Sequence, residues 1–163
     1  MHPSIAERAA YGTPLDPVAD DTPIHLVPRS GTALLGRILI SGIFLLSGFA
    51  KLTDPAGAIG YMTAQGIPYA EILVYVAGIG ELLGGVAVLF GFLSRLAALG
   101  LFVFLIPTTF YFHSFWTMSG AEAKTQMVNF MKNLAIMGGL LTLFAHGPGR
   151  FSIDARLRGP REA

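Results

Sequence analysis

Apolar positions along the chain fall into four long runs, from about Ala33 to Leu52, Ile72 to Leu93, Leu96 to Trp116 and Met127 to Phe144, separated by short polar breaks. A bilayer core of roughly 30 Å asks for about 20 mostly apolar residues per helix, so each run predicts a transmembrane helix. The second and third runs are joined by so few residues around Ser94 and Arg95 that only a tight turn fits, which makes them antiparallel neighbours. The pattern therefore predicts an all-α fold: an integral membrane four-helix bundle over residues 33–146, antiparallel and up-down in topology.

The breaks predict the remaining elements. Asp54 and Pro55 have the form of a cap and a first helical position, and Gly66 with Pro68 has the form of a stop. Between them the reading places a short surface helix between spans 1 and 2, with Ala58, Ile59 and Met62 on one side, lying along the membrane or packed on the bundle rim. Pro107 removes a backbone donor from the third span and should free a carbonyl near position 103, within reach of Thr108. Ser119-Gly120-Ala121-Glu122 has the spacing of a capping box, so the fourth helix is expected to begin about a turn before its apolar part. Gly147-Pro148-Gly149 ends it. Residues 1–32, with Pro3, Pro14, Pro17, Pro23 and Pro28 and no apolar run, read as a loosely ordered cytoplasmic tail without the features of a signal peptide. Residues 147–163 read as a short, charged cytoplasmic C-terminal tail.

Composition agrees and narrows the chemistry. A chain of 163 residues that is 53% hydrophobic and 13% charged is too apolar for a soluble domain of this size, so the lipid bilayer is its solvent. A net charge of +1 without a basic, aromatic-interleaved patch gives no reason to expect nucleic acid as a partner. The chain has no cysteine. That excludes thiol–disulfide exchange and thiolate-ligated iron–sulfur clusters. A haem held by two histidines is not expected either, because His113 and His146 belong to opposite faces of the membrane, and no cluster has the spacing of a metal site.

The basic residues separate by type. Arg8, Arg29, Arg37, Arg95, Arg150, Arg156, Arg158 and Arg161 fall on the side of the bundle that carries both chain ends, whereas Lys51, Lys124 and Lys132 fall toward the other. Loops rich in Lys and Arg stay cytoplasmic, so a multi-pass protein of the bacterial inner membrane with both termini in the cytoplasm is expected.

Ionisable groups inside the apolar runs carry the candidate chemistry, since each costs roughly 2.5 to 3.5 kcal/mol near the middle of a membrane helix and so demands a partner or a function. Glu81 sits near the midplane among Gly78, Gly80, Gly84 and Gly85, which let another helix approach. Ranked by depth, Lys132 and Arg37 are its expected partners, while Lys51 and His113 are expected to line the mouth of the bundle. Arg37, Ser41, Gly48 and Lys51 share one stripe of the first helix, and Asn129, Lys132, Asn133 and Ile136 share one on the fourth. Together these residues predict a polar pocket in the outer half of the bundle, roofed by the surface helix containing Tyr61 and by the Tyr69 segment. It would suit a quinone head group, a small polar organic molecule or a proton path. A purely structural ion pair that fixes helix register is the competing reading of Glu81.

Taken in order, Arg37, Phe44, Ser47, Gly48 and Lys51-Leu52, then Gly80-Glu81-Leu82 with Gly84-Gly85, then His113 with Phe115-Trp116 form a pattern similar to the DoxX family of small bacterial membrane proteins. Asn129-Phe130, Lys132-Asn133, Gly138-Gly139, Gly147-Pro148-Gly149 and Ser152-Ile153-Asp154 extend the resemblance over about residues 33–157. The resemblance implies a four-helix inner-membrane protein linked to quinol oxidation or to electron transfer into quinone, with other membrane or redox subunits as partners.

The functional expectation is a membrane component of a quinone-linked oxidoreductase system, with quinone as the suggested cofactor. Glu81, Lys132 and His113 are its candidate catalytic residues: Lys132 or His113 would hydrogen-bond a carbonyl of the bound molecule and Glu81 would exchange a proton. Arg37, Lys51, Asn129 and Asn133 are its candidate ligand-binding residues. The alternatives are a proton-coupled transporter of a small solute, and a structural or assembly subunit of a larger membrane complex. No internal inverted repeat favours transport.

Overall fold

The computed structural model describes residues 29–158. The expectations for residues 1–28 and 159–163 lie outside the described residues. Four long helices carry the fold: α1 (Arg29–Thr53), α3 (Ala70–Phe90), α4 (Ser94–Phe112) and α5 (Gly120–His146). A short α2 (Ala56–Ala64) stands between the first two, a single 3-10 turn (Phe115–Thr117) follows α4, and a terminal α6 (Ile153–Leu157) follows α5. All four long helices are long and apolar enough to cross a membrane, and they alternate in direction, so the predicted all-α membrane bundle is the observed one.

The helix ends have local causes, and some differ from expectation. α1 begins at Arg29, a turn earlier than the apolar run. Asp54 does not cap α2, because Pro55 occupies the cap position and no side chain bonds there. Its far end closes as expected, with Gly66 at φ 71° allowing the Gly66 and Ile67 N–H groups to turn back onto the Thr63 and Met62 carbonyls. α5 starts at Gly120, as the capping-box spacing suggested, yet the Ser119 hydroxyl makes no capping bond. At Pro107 the helix continues, and the Thr108 hydroxyl donates to the carbonyl of Phe104 rather than of Val103, since a side chain reaches the carbonyl four residues back on its own helix.

The four spans form two tight pairs. α1 packs along α3 and α4 along α5, while α3 against α4 and α1 against α5 meet over shorter stretches. The main core, Phe44, Val88, Ala98, Leu101, Leu105, Leu140 and Leu143, fills the bundle from near the Arg29 end to just past its middle. There the pairs touch closely: a Cβ on Gly84 would stand 2.7 Å from Leu101 Cδ2, and one on Gly139 would stand 2.8 Å from Ile40 Cδ1. At the Thr53 end a smaller cluster, Met62, Ala70 and Val74 with Ala58, Ile59, Ile67 and Phe112, seats α2 on the bundle rim. The Tyr61 ring stacks on Phe112 with centroids 5.5 Å apart, and its hydroxyl donates to the Phe112 carbonyl at 2.8 Å. α2 thus bridges the two helix pairs.

Candidate functional site: an ion pair at the wall of an inter-pair cleft

The close approach of α1 and α3 begins with glycine. A Cβ on Gly48 would lie 2.7 Å from the Gly78 carbonyl oxygen and 2.8 Å from the Leu82 nitrogen, and one on Gly78 would lie 3.1 Å from Lys51 Cβ. Only hydrogen fits at this crossing. It brings Lys51, one turn beyond Gly48, against Glu81, one turn beyond Gly78.

Side-chain direction then decides which cation Glu81 meets. In a helix the Cα–Cβ bond tilts toward the helix N-terminus. α1 has its N-terminus at the Arg29 end, so Lys51 projects back into the bundle; α3 has its N-terminus at the Thr53 end, so Glu81 projects up toward Lys51. Lys51 Nζ lies 2.8 Å from Glu81 Oε2 and 3.1 Å from Oε1, and donates also to Ser47 Oγ at 2.6 Å. Glu81 is only 5% exposed. The Lys51 side chain keeps 23% of its surface open.

The same rule overturns the partners expected from depth. Arg37, on α1, also projects toward its helix N-terminus, which carries it away from the midplane: Nη1 donates to the Leu89 carbonyl at 3.2 Å and Nη2 to the Phe151 carbonyl. It is 1% exposed and holds the chain after α5 onto the α3–α4 turn. Lys132, on α5, projects toward the Thr53 end and donates to Asn129 Oδ1 at 3.1 Å. Ranking by Cα depth failed because a lysine side chain spans more than a helical turn, and its direction follows the helix that carries it.

The pair lines a cleft of about 1090 Å³ between the two helix pairs. His113, Lys132 and Asn133 also line it, so five of the seven predicted site residues share one wall system; Arg37 and Asn129 are not among its lining residues. Asn133 is buried and donates to Thr109 Oγ1 at 3.1 Å, and His113 Nδ1 lies 2.8 Å from Gln126 Oε1. Most of the remaining wall is apolar, contributed by residues such as Phe44, Met62, Leu101 and Phe104. Such a space can hold an amphipathic organic molecule, offering it the ammonium groups of Lys51 and Lys132, the Glu81 carboxylate, the His113 imidazole and the Asn133 carboxamide. Among the described residues no group of three or more His, Asp or Glu side chains stands close enough to hold a metal ion.

Sequence reasoning missed Thr109 and gave no role to Ser47 and Asp154, which it noted only as part of the family pattern. Ser47 was legible as the residue four before Lys51 on the same face, whereas a threonine within an apolar run carries no signal that it faces an asparagine 24 residues on. Asp154 is the anchor of the Arg29 end. Its carboxylate accepts the N–H groups of Leu93 and Ser94 at 2.8 and 2.9 Å and the Ser94 hydroxyl at 2.6 Å, while its own N–H bonds the Gly91 carbonyl. Burial alone would raise this carboxyl, but the Ser94 hydroxyl, the two N–H groups and nearby Arg158 hold it below the ordinary aspartate value of 3.8.

Comparison with known proteins agrees with this architecture. The DoxX family model matches residues 32–114, which include Ser47, Lys51, Glu81 and His113. The chain is 43% identical over 125 residues to Inner membrane protein YqjF of Escherichia coli, covering 76% of this chain and 90% of that one. It is 32% identical over 123 residues to Inner membrane protein YphA of the same organism, covering 76% and 88%. It is also 32% identical over 136 residues to Uncharacterized membrane protein Rv3486 of Mycobacterium tuberculosis, covering 74% and 78%. No solved structure matches the chain.

Proposed function

Since the chain belongs to the DoxX family and is a multi-pass inner membrane protein, we propose that it serves as the membrane component of a quinone-linked oxidoreductase system and binds a quinone-like molecule in the cleft between its helix pairs. The observation that carries this reading is the Lys51–Glu81 pair at 2.8 Å, buried in a spanning segment yet set into the wall of a large apolar cleft. Full enclosure only raises the desolvation cost of an ion pair, so what separates a site from a helix lock is the open space beside the pair. This one leaves 23% of the lysine side chain exposed, beside that space.

The roles follow from the geometry. Lys51 takes the part first expected of Lys132: its ammonium has three donors, and the one directed at Glu81 Oε1, the longer contact at 3.1 Å, is the one a ligand carbonyl would compete for. Glu81 supplies the carboxylate that accepts or returns a proton beside that carbonyl. Asn133, oriented by Thr109, and His113, oriented by Gln126, bound the polar side of the cleft. A bound quinone would supply two-electron, two-proton redox chemistry, with the electrons coming from a partner subunit. We assign both termini to the cytoplasm, on the arginine excess at the Arg29 end.

The test is direct. Protein purified gently from native membranes should carry an extractable quinone that is lost in Glu81→Gln and Lys51→Met, and a Lys132→Met variant should retain most of it. Protein free of any bound organic molecule would overturn the reading.

A further inference from the structure

Resting on that reading, we infer that the cleft is a lateral portal: its ligand comes from the bilayer through the seam between α3 and α4, and carries an aliphatic tail that stays in this seam while the head group meets the Lys51–Glu81 pair. α3 and α4 run antiparallel away from the turn at Gly91–Leu93, so residues at equal depth can be read in pairs. Gly84 packs onto Leu101. Beyond that contact Gly80 stands level with Phe104, Ala77 with Thr108, and Leu73 with Phe112, and all six line the cleft. The cleft therefore follows the seam from near the bilayer midplane to the Thr53 end.

The seam is open on its outer side. Val76 is 60% and Tyr111 61% exposed, though both line the cleft and both belong to spanning helices. At Gly80, and at Gly100 on the facing helix, an added Cβ would meet no atom within 4 Å. Exposed surface at this depth is in contact with lipid chains, so whatever passes here is soluble in hydrocarbon. Apart from Thr108, whose hydroxyl is bound to the Phe104 carbonyl, and Tyr111 near its outer end, the seam is apolar and uncharged, whereas the opposite seam, between α1 and α5, has the charged Lys132 beside Ser47 on the cleft wall. An isoprenoid or alkyl tail fits the first and not the second.

Two quinone probes separate the possibilities in proteoliposomes of the full chain: a photoreactive azidoquinone with a decyl tail, and the same ring without the tail. The wild type should be labelled by both, and far more strongly by the tailed probe. Gly80→Leu and Gly100→Leu, each filling the seam from a different helix, should cut labelling by the tailed probe at least tenfold and leave the tailless probe within about twofold. Gly42→Leu, placed where a Cβ also meets nothing but away from the cleft, serves as the folding control. Unchanged labelling by the tailed probe in both seam variants would overturn the portal while leaving the quinone reading intact. A wild type labelled by neither probe would overturn the quinone reading itself.

Discussion

Lys51 and Glu81 form a pair whose two halves are unequal. The carboxylate is almost wholly enclosed, whereas the lysine lies near the end of α1 and retains a partly open side chain. Removing the lysine strands a buried charge, and removing the carboxylate frees a cation that can turn toward the interface. Lys51→Met and Glu81→Gln should each destabilise the bundle, by about 1 to 3 kcal/mol, with the lysine change the larger. The double variant Lys51→Met/Glu81→Gln should cost less than the sum of the two single changes, because it leaves no charge to solvate. Unfolding titrations in mixed micelles measure this. Costs that simply add would mean that the two side chains do not interact. Lys132→Met should lie within about 0.5 kcal/mol of the wild type, since its polar partner among the described residues is the adjacent-turn Asn129.

At the level of elements, two devices hold the helices in place. The first is the glycine crossing of α1 on α3. Gly48→Leu would drive a side chain into the Gly78 carbonyl and the Leu82 nitrogen, and because backbone cannot swing aside, the helices must separate. The expected cost is about 3 kcal/mol or more, together with loss of the Lys51–Glu81 contact. A thermal melt of Gly48→Leu beside Gly42→Leu tests it, as the control position on the same helix is open; equal melting temperatures would show that the crossing is not close. The second device is the Asp154 anchor. Its pKa is lowered in the folded protein, so it contributes stability above the unfolded aspartate value, and that contribution is lost as pH falls through the lower, folded value. The protection of the Leu93 and Ser94 amides, their exchange rate relative to the intrinsic rate at the same pH, should therefore fall only in acid, below about pH 4. In Asp154→Asn the same amides should exchange fast at neutral pH as well, with no acid step.

The whole molecule is two helix pairs closed at one end and parted at the other. The Arg37 bonds to Leu89 and Phe151 and the Asp154 anchor lie at the Arg29 end and the main apolar core runs from near there to the middle, whereas the Thr53 end is bridged by Tyr61 on Phe112. This asymmetry gives a stable base and an open cleft within one small bundle. The proposed orientation puts the base at the cytoplasmic face. A C-terminal fusion to a fluorescent protein that matures only in the cytoplasm should be bright, and a C-terminal alkaline phosphatase fusion should be inactive; the reverse pattern would invert the topology.

Four spans, their alternating direction, the rim helix and the polar stripe of α1 were legible in the sequence, because each follows from local facts: run length against bilayer thickness, turn length, and a helical repeat that puts Arg37, Ser41, Gly48 and Lys51 on one face. That Glu81 would be paired was legible as well, as a carboxylate in hydrocarbon needs a partner. Which partner it has was not. That depended on the height at which α1 crosses α3, set by a Gly48–Gly78 contact between residues 30 apart, and on the tilt of each side chain along its own helix axis. The cleft, likewise, arises from how two pairs of helices lean apart, and the grip of Arg37 and Asp154 joins segments more than 50 residues distant. Periodicity along one helix determines what faces inward; only the packing of helices against one another decides what each inward group meets.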